Sequence, residues 1–274
     1  MKRYLCILLC LLLAACASNP RLQDVRVLAD DAPKLAGFND LSQRFRDTYQ
    51  REQPYLSAAA AQREEAIDRK RHDAYPDFLD LYSAATTYLR ALGALAAGDT
   101  FNYGDQVKHM SESIKAWPDT GLTDRHVNAY SSLVRLLLRF ATAREQDKAV
   151  QAMLREGYEP LQGTLDAMAT LVRYFNKNHD NEQRIVLGML EVEIPYADTP
   201  RDRLLAALAR SHQQEKLREY RLLGLRHTLA AQNIDALRER HAALYRGLDP
   251  QPAAGAASSA PPATPSAFTQ GALP

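Results

Sequence analysis

His227 and His241 stand on one apolar stripe of a long helical pattern, where two histidines invite a metal reading. They are fourteen residues apart, about 21 Å along a helix, so they cannot share an ion. The simpler reading makes each a stripe residue satisfied by a neighbouring helix or by solvent at the bundle edge. A di-iron bundle needs Glu three residues before His, twice, and that spacing occurs nowhere: Ala209 precedes His212, Gly224 precedes His227 and Arg238 precedes His241. His179 with Glu182 and His212 with Glu215 have the reverse order, in polar stretches expected to be exposed. Two His flanking a Glu at zincin spacing are also missing, so no metal and no cofactor are expected.

Other chemistry fares no better. No Ser sits between glycines on a strand-to-helix elbow, and no Gly-rich loop is built to hold phosphate. Glu191 and Glu193 are the nearest hint of paired carboxylates for glycoside hydrolysis, but they read more simply as charges at a helix end before Pro195. No catalytic residue is assigned, and the chain reads as a non-enzyme. Asp99, Asn102 and Asp105 lack the closer spacing and terminal Glu of a calcium loop. The most individual stretch is Gly98 to Thr123, with the sole Trp, Trp117, near Phe101 and Tyr103, and a short helix expected around Gln106 to Ala116. Aromatic residues on loops anchor partner contacts, which makes Phe101, Tyr103 and Trp117 the candidate partner-binding residues. The competing reading has Phe101 and Trp117 capping the core. The mixed-charge run Gln62 to Asp73 reads as a solvated helix face.

The elements that must carry these residues are helical. Strand signals are nearly absent, while Phe78, Tyr82, Ala85, Leu89 and Leu92 step by three and four beside a second stripe of Leu81, Ala84, Tyr88, Ala91 and Leu95. That wide apolar face predicts a central helix ending at Gly98. A second helix is expected after Thr123, and a third after a joint at Gly157 and Pro160, with a break or kink near Asn178-His179-Asp180 and a stop at Pro195. Thr199-Pro200 reads as a cap and first-turn Pro of a last helix over 40 residues long, about 65 Å. The fold class is therefore all-α, an elongated antiparallel bundle of about five to seven helices with a long C-terminal helix.

The beginning of the chain carries a different signal. Lys2 and Arg3 precede an apolar run, Leu5 to Leu13, too short to span a bilayer. Leu13-Ala14-Ala15-Cys16 then resembles the lipobox of bacterial lipoproteins. The resemblance implies acylation of Cys16 and cutting just before it, and Ala17 and Ser18 rather than Asp after it imply the outer membrane, inner leaflet, facing the periplasm. More than one acyl chain holds a protein at a membrane where a single chain does so only marginally. The resulting organisation is 1–15 signal peptide, 16–33 lipidated Cys and tether, 34–248 helical domain and 249–274 a disordered Pro/Ala-rich tail. Cys6 and Cys10 leave with the signal peptide, so no disulfide or thiolate site is expected in the helical domain.

Charge excludes one class of partner. The chain has 34 basic and 33 acidic residues, and loss of Lys2 and Arg3 leaves 32 against 33, a net charge of −1. Nothing there suits a nucleic acid. The expected function is a non-enzymatic helical scaffold or adaptor, attached to the membrane through its lipid and binding another envelope protein. The alternatives are a ligand-binding or hydrolytic protein with a site inside the bundle, or a pilotin-like assembly factor.

Overall fold

The computed structural model describes residues 20–99, 104–140, 146–197 and 199–248. The lipobox with Cys16, the residues Phe101 and Tyr103, and the C-terminal Pro/Ala-rich segment lie outside the described residues. Within them the chain is all-α, with α1 (Pro20–Asp30), α2 (Ala36–Arg46), α3 (Thr48–Glu52), α4 (Ala58–Ala97), α5 (Gly104–Lys108), α6 (Asp124–Phe140), α7 (Gln146–Glu193) and α8 (Arg203–Arg246). Six of these have eleven residues or more, and they form the expected antiparallel bundle around three long members of 40, 48 and 44 residues. α7 is the central member, packed along α8, α6 and α4, while α4 also takes α1 and α2. No helix among the described residues is long and apolar enough to cross a membrane.

Both stripes of α4 face the core, with Tyr82 and Leu95 half-buried at its edge. Phe78, Leu81, Ala84, Ala85, Tyr88, Leu89, Ala91 and Leu92 all enter the main core. The helix starts on Ser57, whose side chain accepts from the Ala60 N–H, and ends on Gly98 at φ 79°, a left-handed conformation open to Gly at little cost. α6 starts after Thr123 as the sequence implies. Its opening is tied by His126, whose Nδ1 accepts from the Thr123 N–H at 3.1 Å in the place a capping-box Glu would take.

Four expectations need correction. Residues 20–30 are not tether but helix α1, and Val25 and Leu28 on it are buried against α4. Their spacing of three is a short apolar signal that polar neighbours hide. The joint at Gly157 and Pro160 is absent, for α7 runs through both. Pro inside a helix costs about 3 kcal/mol. That cost is met by packing on each side of it, from Val150, Met153 and Leu154 before and Leu161 and Leu165 after. The polar triplet Asn178-His179-Asp180 likewise lies inside α7, because two of its side chains point inward to partners. The last helix begins three residues late, at Arg203, since Thr199 Oγ1 accepts from the Asp202 N–H and closes a separate turn. Smaller departures occur after α5: only Gly104–Lys108 is helical, and the following chain is pinned to α4 by Ser111 and Lys115 N–H groups donating to Asp80 and Asp77.

Gly157 marks close approach rather than a helix end. A Cβ there would meet the Tyr88 ring at 2.5 Å, and that ring is held by its hydroxyl, which donates to the Met153 carbonyl at 3.1 Å. Gly224, by contrast, has nothing within 4 Å of such a Cβ. Gly157→Ala is therefore expected to destabilise by about 2 kcal/mol, against the ordinary helix preference. Gly224→Ala should stabilise by about 0.5 to 1 kcal/mol. Urea unfolding of the two variants checks this, and equal shifts in one direction would contradict the packing described.

Candidate functional site

The aromatic end of the core leads to the site. Phe45 of α2 stacks on Phe175 of α7 at 4.7 Å, with Phe78 and Phe38 around them. Trp117 joins this cluster: its ring lies nearly parallel to Phe78 at 6.0 Å and within 6.2 Å of Phe45 and Tyr174. It is half-buried, and its free edge borders a shallow cleft of about 190 Å³ with Lys70, Asp77, Lys115 and Leu122. Its position is thus that of a core cap with one edge in solvent.

Beyond Phe175 the α7 stripe changes chemistry. His179 and Glu182 continue it, and both are buried, not exposed as their polar surroundings suggested. Glu182 receives Arg51 of α3 in a fork, Nε at 2.9 Å and Nη2 at 2.7 Å, and Arg44 of α2 at 3.0 Å. Tyr220 of α8 donates its hydroxyl to the same carboxylate at 3.3 Å. Arg44 also reaches Glu219 at 3.0 Å, and Lys216 closes on Glu219 at 2.8 Å. Four helices are tied at one carboxylate whose two oxygens already accept hydrogen bonds. Such a group locks a packing arrangement.

A second branch lies one turn away. Arg71 of α4 pairs with Glu64 at 2.6 Å and donates to Asn178 Oδ1 at 3.1 Å, while Asn178 Nδ2 donates to Thr48 Oγ1 at 3.0 Å. Arg71 also lies 5.4 Å over the Phe45 ring. It is buried, the exception within Gln62 to Asp73, whose other residues are mostly exposed as a solvated face would be. Glu52 sits beside this branch, and burial, then Glu64 and Glu182, pushes its carboxyl up to about 7. An acid whose folded pKa is raised loses stability as pH climbs from the unfolded value through the folded one. Glu52→Gln should therefore stabilise by about 2 kcal/mol at pH 8, where the wild-type carboxylate is charged, and by little near pH 4. Denaturant unfolding at the two pH values checks it; a pH-independent gain would contradict the assignment.

The histidines are packed, not poised. His179 and His227 face each other with ring centroids 5.2 Å apart, and burial lowers both, His227 to about 4. The cavity beside them is about 10 Å³, room for one water. His241 is fully buried, its Nε2 is 2.9 Å from the Tyr88 hydroxyl, and burial lowers it to about 4. His212 bonds the Tyr55 hydroxyl at 2.6 Å. Among the described residues no three His, Cys, Asp or Glu side chains are grouped to hold a metal ion. Glu191 and Glu193 are exposed at the end of α7.

A wide opening lies on the surface. A groove of about 570 Å³ runs between the α2 region and α8, with Gly37, Leu41, Leu223, Leu229 and Ala230 as its apolar part. Lys34, Arg44, Arg51 and Arg226 alternate with Asp40 and Asp47 along it. Arg44 and Arg51 are shared: one side faces the groove, the other holds Glu182. Sequence reading missed this cluster, although a signal existed. Leu161, Leu165, Met168, Val172, Phe175, His179, Glu182 and Val186 step by four and three without interruption, so the polar pair continues a core stripe.

Compared with known proteins, the chain matches no family model, and no curated protein or solved structure is significantly similar to it.

Proposed function

We propose that this chain is a non-enzymatic, lipid-anchored adaptor of a bacterial envelope, facing the periplasm and binding another envelope protein through the groove between α2 and α8. The observation that carries the reading is the contrast between interior and surface. The histidines on which an internal ligand or hydrolytic site would rest are surrounded by packed side chains and a space of about 10 Å³, while the open volume of about 570 Å³ is a groove of mixed apolar and charged lining. Interfaces use an apolar strip rimmed by charge in this way. The lipobox resemblance at Leu13 to Cys16 supports the anchor and the outer-membrane address.

The start of α1 at Pro20 sharpens the anchor. With Cys16 four residues earlier, the lipid attachment lies at most about 14 Å from the bundle. The adaptor thus works at the membrane surface rather than at the end of a long tether. Cys16→Ser should abolish lipid labelling and release the protein from membranes. Arg226→Glu in the groove should keep the anchor and lose the co-purifying partner. A Cys16→Ser protein that stays membrane-bound, or a partner retained by the groove variant, would contradict the respective half of the proposal.

A further inference from the structure

Helix α8 turns a row of apolar side chains to solvent. Leu204, Leu208, Leu222, Leu225 and Leu229 are each more than half exposed. With the exposed Ser211, Glu215 and Arg218 between them, they form one seam that advances by four and three residues over about 38 Å. A separate stripe of α8, including Tyr220, Leu223, His227, Ala230 and Ile234, is buried in the bundle, so the seam is additional to the fold.

The seam reads the same in both directions. Its steps are four, three, four, three, four, three, four from either end. Laid antiparallel on a second copy about a two-fold axis between Glu215 and Arg218, Leu204 meets Leu229, Leu208 meets Leu225, and Ser211 meets Leu222. Glu215 then meets Arg218, twice. The two polar residues that interrupt the apolar row are thus each other's partners across the axis. Among the described residues neither joins the ion pairs of α8, which include those of Lys216, Glu219, Arg238 and Arg240. An isologous contact demands this kind of self-complementarity. We propose that the exposed seam of α8 pairs antiparallel with the same seam of a second copy of this chain, with reciprocal Glu215–Arg218 pairs setting its register.

The rival occupant of such a face is a lipid surface, since Arg residues flank it and the anchor would bring it near one. The midpoint argues against that. A helix lying in an interface keeps its apolar face free of charge, whereas Glu215 and Arg218 sit on the seam itself. In the antiparallel pair they are satisfied. The seam meets the groove at Leu229, but the pair that sets its register does not: neither Glu215 nor Arg218 lines the groove, so their variants test the seam without altering the groove.

The test is sedimentation velocity of the full chain in detergent, with two single variants. Glu215→Arg places Arg against Arg twice, and Arg218→Glu places Glu against Glu twice, so each alone should dimerise on the order of 30-fold more weakly than wild type. Mixed one to one, the variants set the two arginines of one chain against the two glutamates of the other, and the heterodimer should form with near wild-type affinity. Both substitutions are on the surface and leave the fold intact. A wild-type chain that stays monomeric at tens of micromolar overturns the proposal, as does a mixture no more dimeric than its components. Flotation of the wild-type chain with anionic vesicles, lost on Leu222→Glu and unaccompanied by dimer, would assign the seam to lipid instead and overturn it too.

Discussion

Acidification from pH 7 to pH 4 is expected to cost the folded chain about 5 kcal/mol through His227 and His241 alone. Burial depresses both to about 4, from an unfolded value of 6.5. A base whose folded pKa is depressed is bound by protons more readily in the unfolded chain. Its stabilising contribution is present above pH 6.5 and is lost as pH falls toward 4. His241 has no room to relax, being fully buried between the Tyr88 and Tyr158 rings and bonded to the Tyr88 hydroxyl, and His227 would gain charge beside His179 and Arg44. Glu52 acts in the opposite sense, regaining stability as it protonates below pH 7, and partly offsets the loss. The comparison that isolates the histidines is therefore between wild type and the His227→Gln, His241→Gln double variant, each unfolded in urea at pH 7 and pH 4. Wild type should lose about 5 kcal/mol more than the variant over that interval. Equal losses would mean that these rings are hydrated in the folded chain.

Glu182→Gln should cost about 3 kcal/mol at neutral pH, the largest single-residue loss we expect. The side chain is nearly inaccessible and neutralises Arg44 and Arg51, both mostly covered themselves. The amide keeps the shape but removes the charge, and it can accept at only one of its two positions, so the Arg51 fork and the Tyr220 bond cannot both survive. Since the four helices α2, α3, α7 and α8 meet at this carboxylate, the loss should be visible as a lower midpoint with an unchanged slope in urea. If Glu182→Gln were neutral, the network would be an incidental contact and the shared position of Arg44 and Arg51 would carry no weight.

Sequence periodicity revealed the helices where apolar residues dominate their stripes. α4, α6 and the long α8 were readable from Phe78, Val134 or Ile234 and their neighbours, including the Gly98 stop. Reading failed where a stripe contains polar residues that fold inward. Thr48 and Glu52 continue the row of Phe38, Leu41 and Phe45 from α2 into α3, and His179 and Glu182 continue the row of Val172 and Phe175 on α7. Each such residue looks like surface until its partner is known, and partners lie far along the chain, Arg44 and Arg51 more than 100 residues from Glu182 and His227 48 residues from His179. Gly157 and Pro160 misled for a related reason: local propensity marks a joint, but Tyr88 and the surrounding core decide otherwise. The groove was invisible because its two walls come from the α2 region and from α8, close to 190 residues apart.

The histidines show how fold and function connect. Read along the sequence, His227 and His241 are the most tempting ligands in the chain. Placed in the bundle, they are buried packing groups, while the groove between the α2 region and α8 opens on the surface.

The most direct test of the adaptor reading is site-specific photocrosslinking in cells. The lipidated full chain would carry a benzophenone side chain at Asn233 or Arg226 in the groove, or at Arg90 on the exposed side of α4 as a control. The account predicts one envelope protein crosslinked from both groove positions, not from Arg90, and lost when Cys16→Ser removes the anchor. Crosslinks to no protein from the groove, or the same products from all three positions, would contradict it.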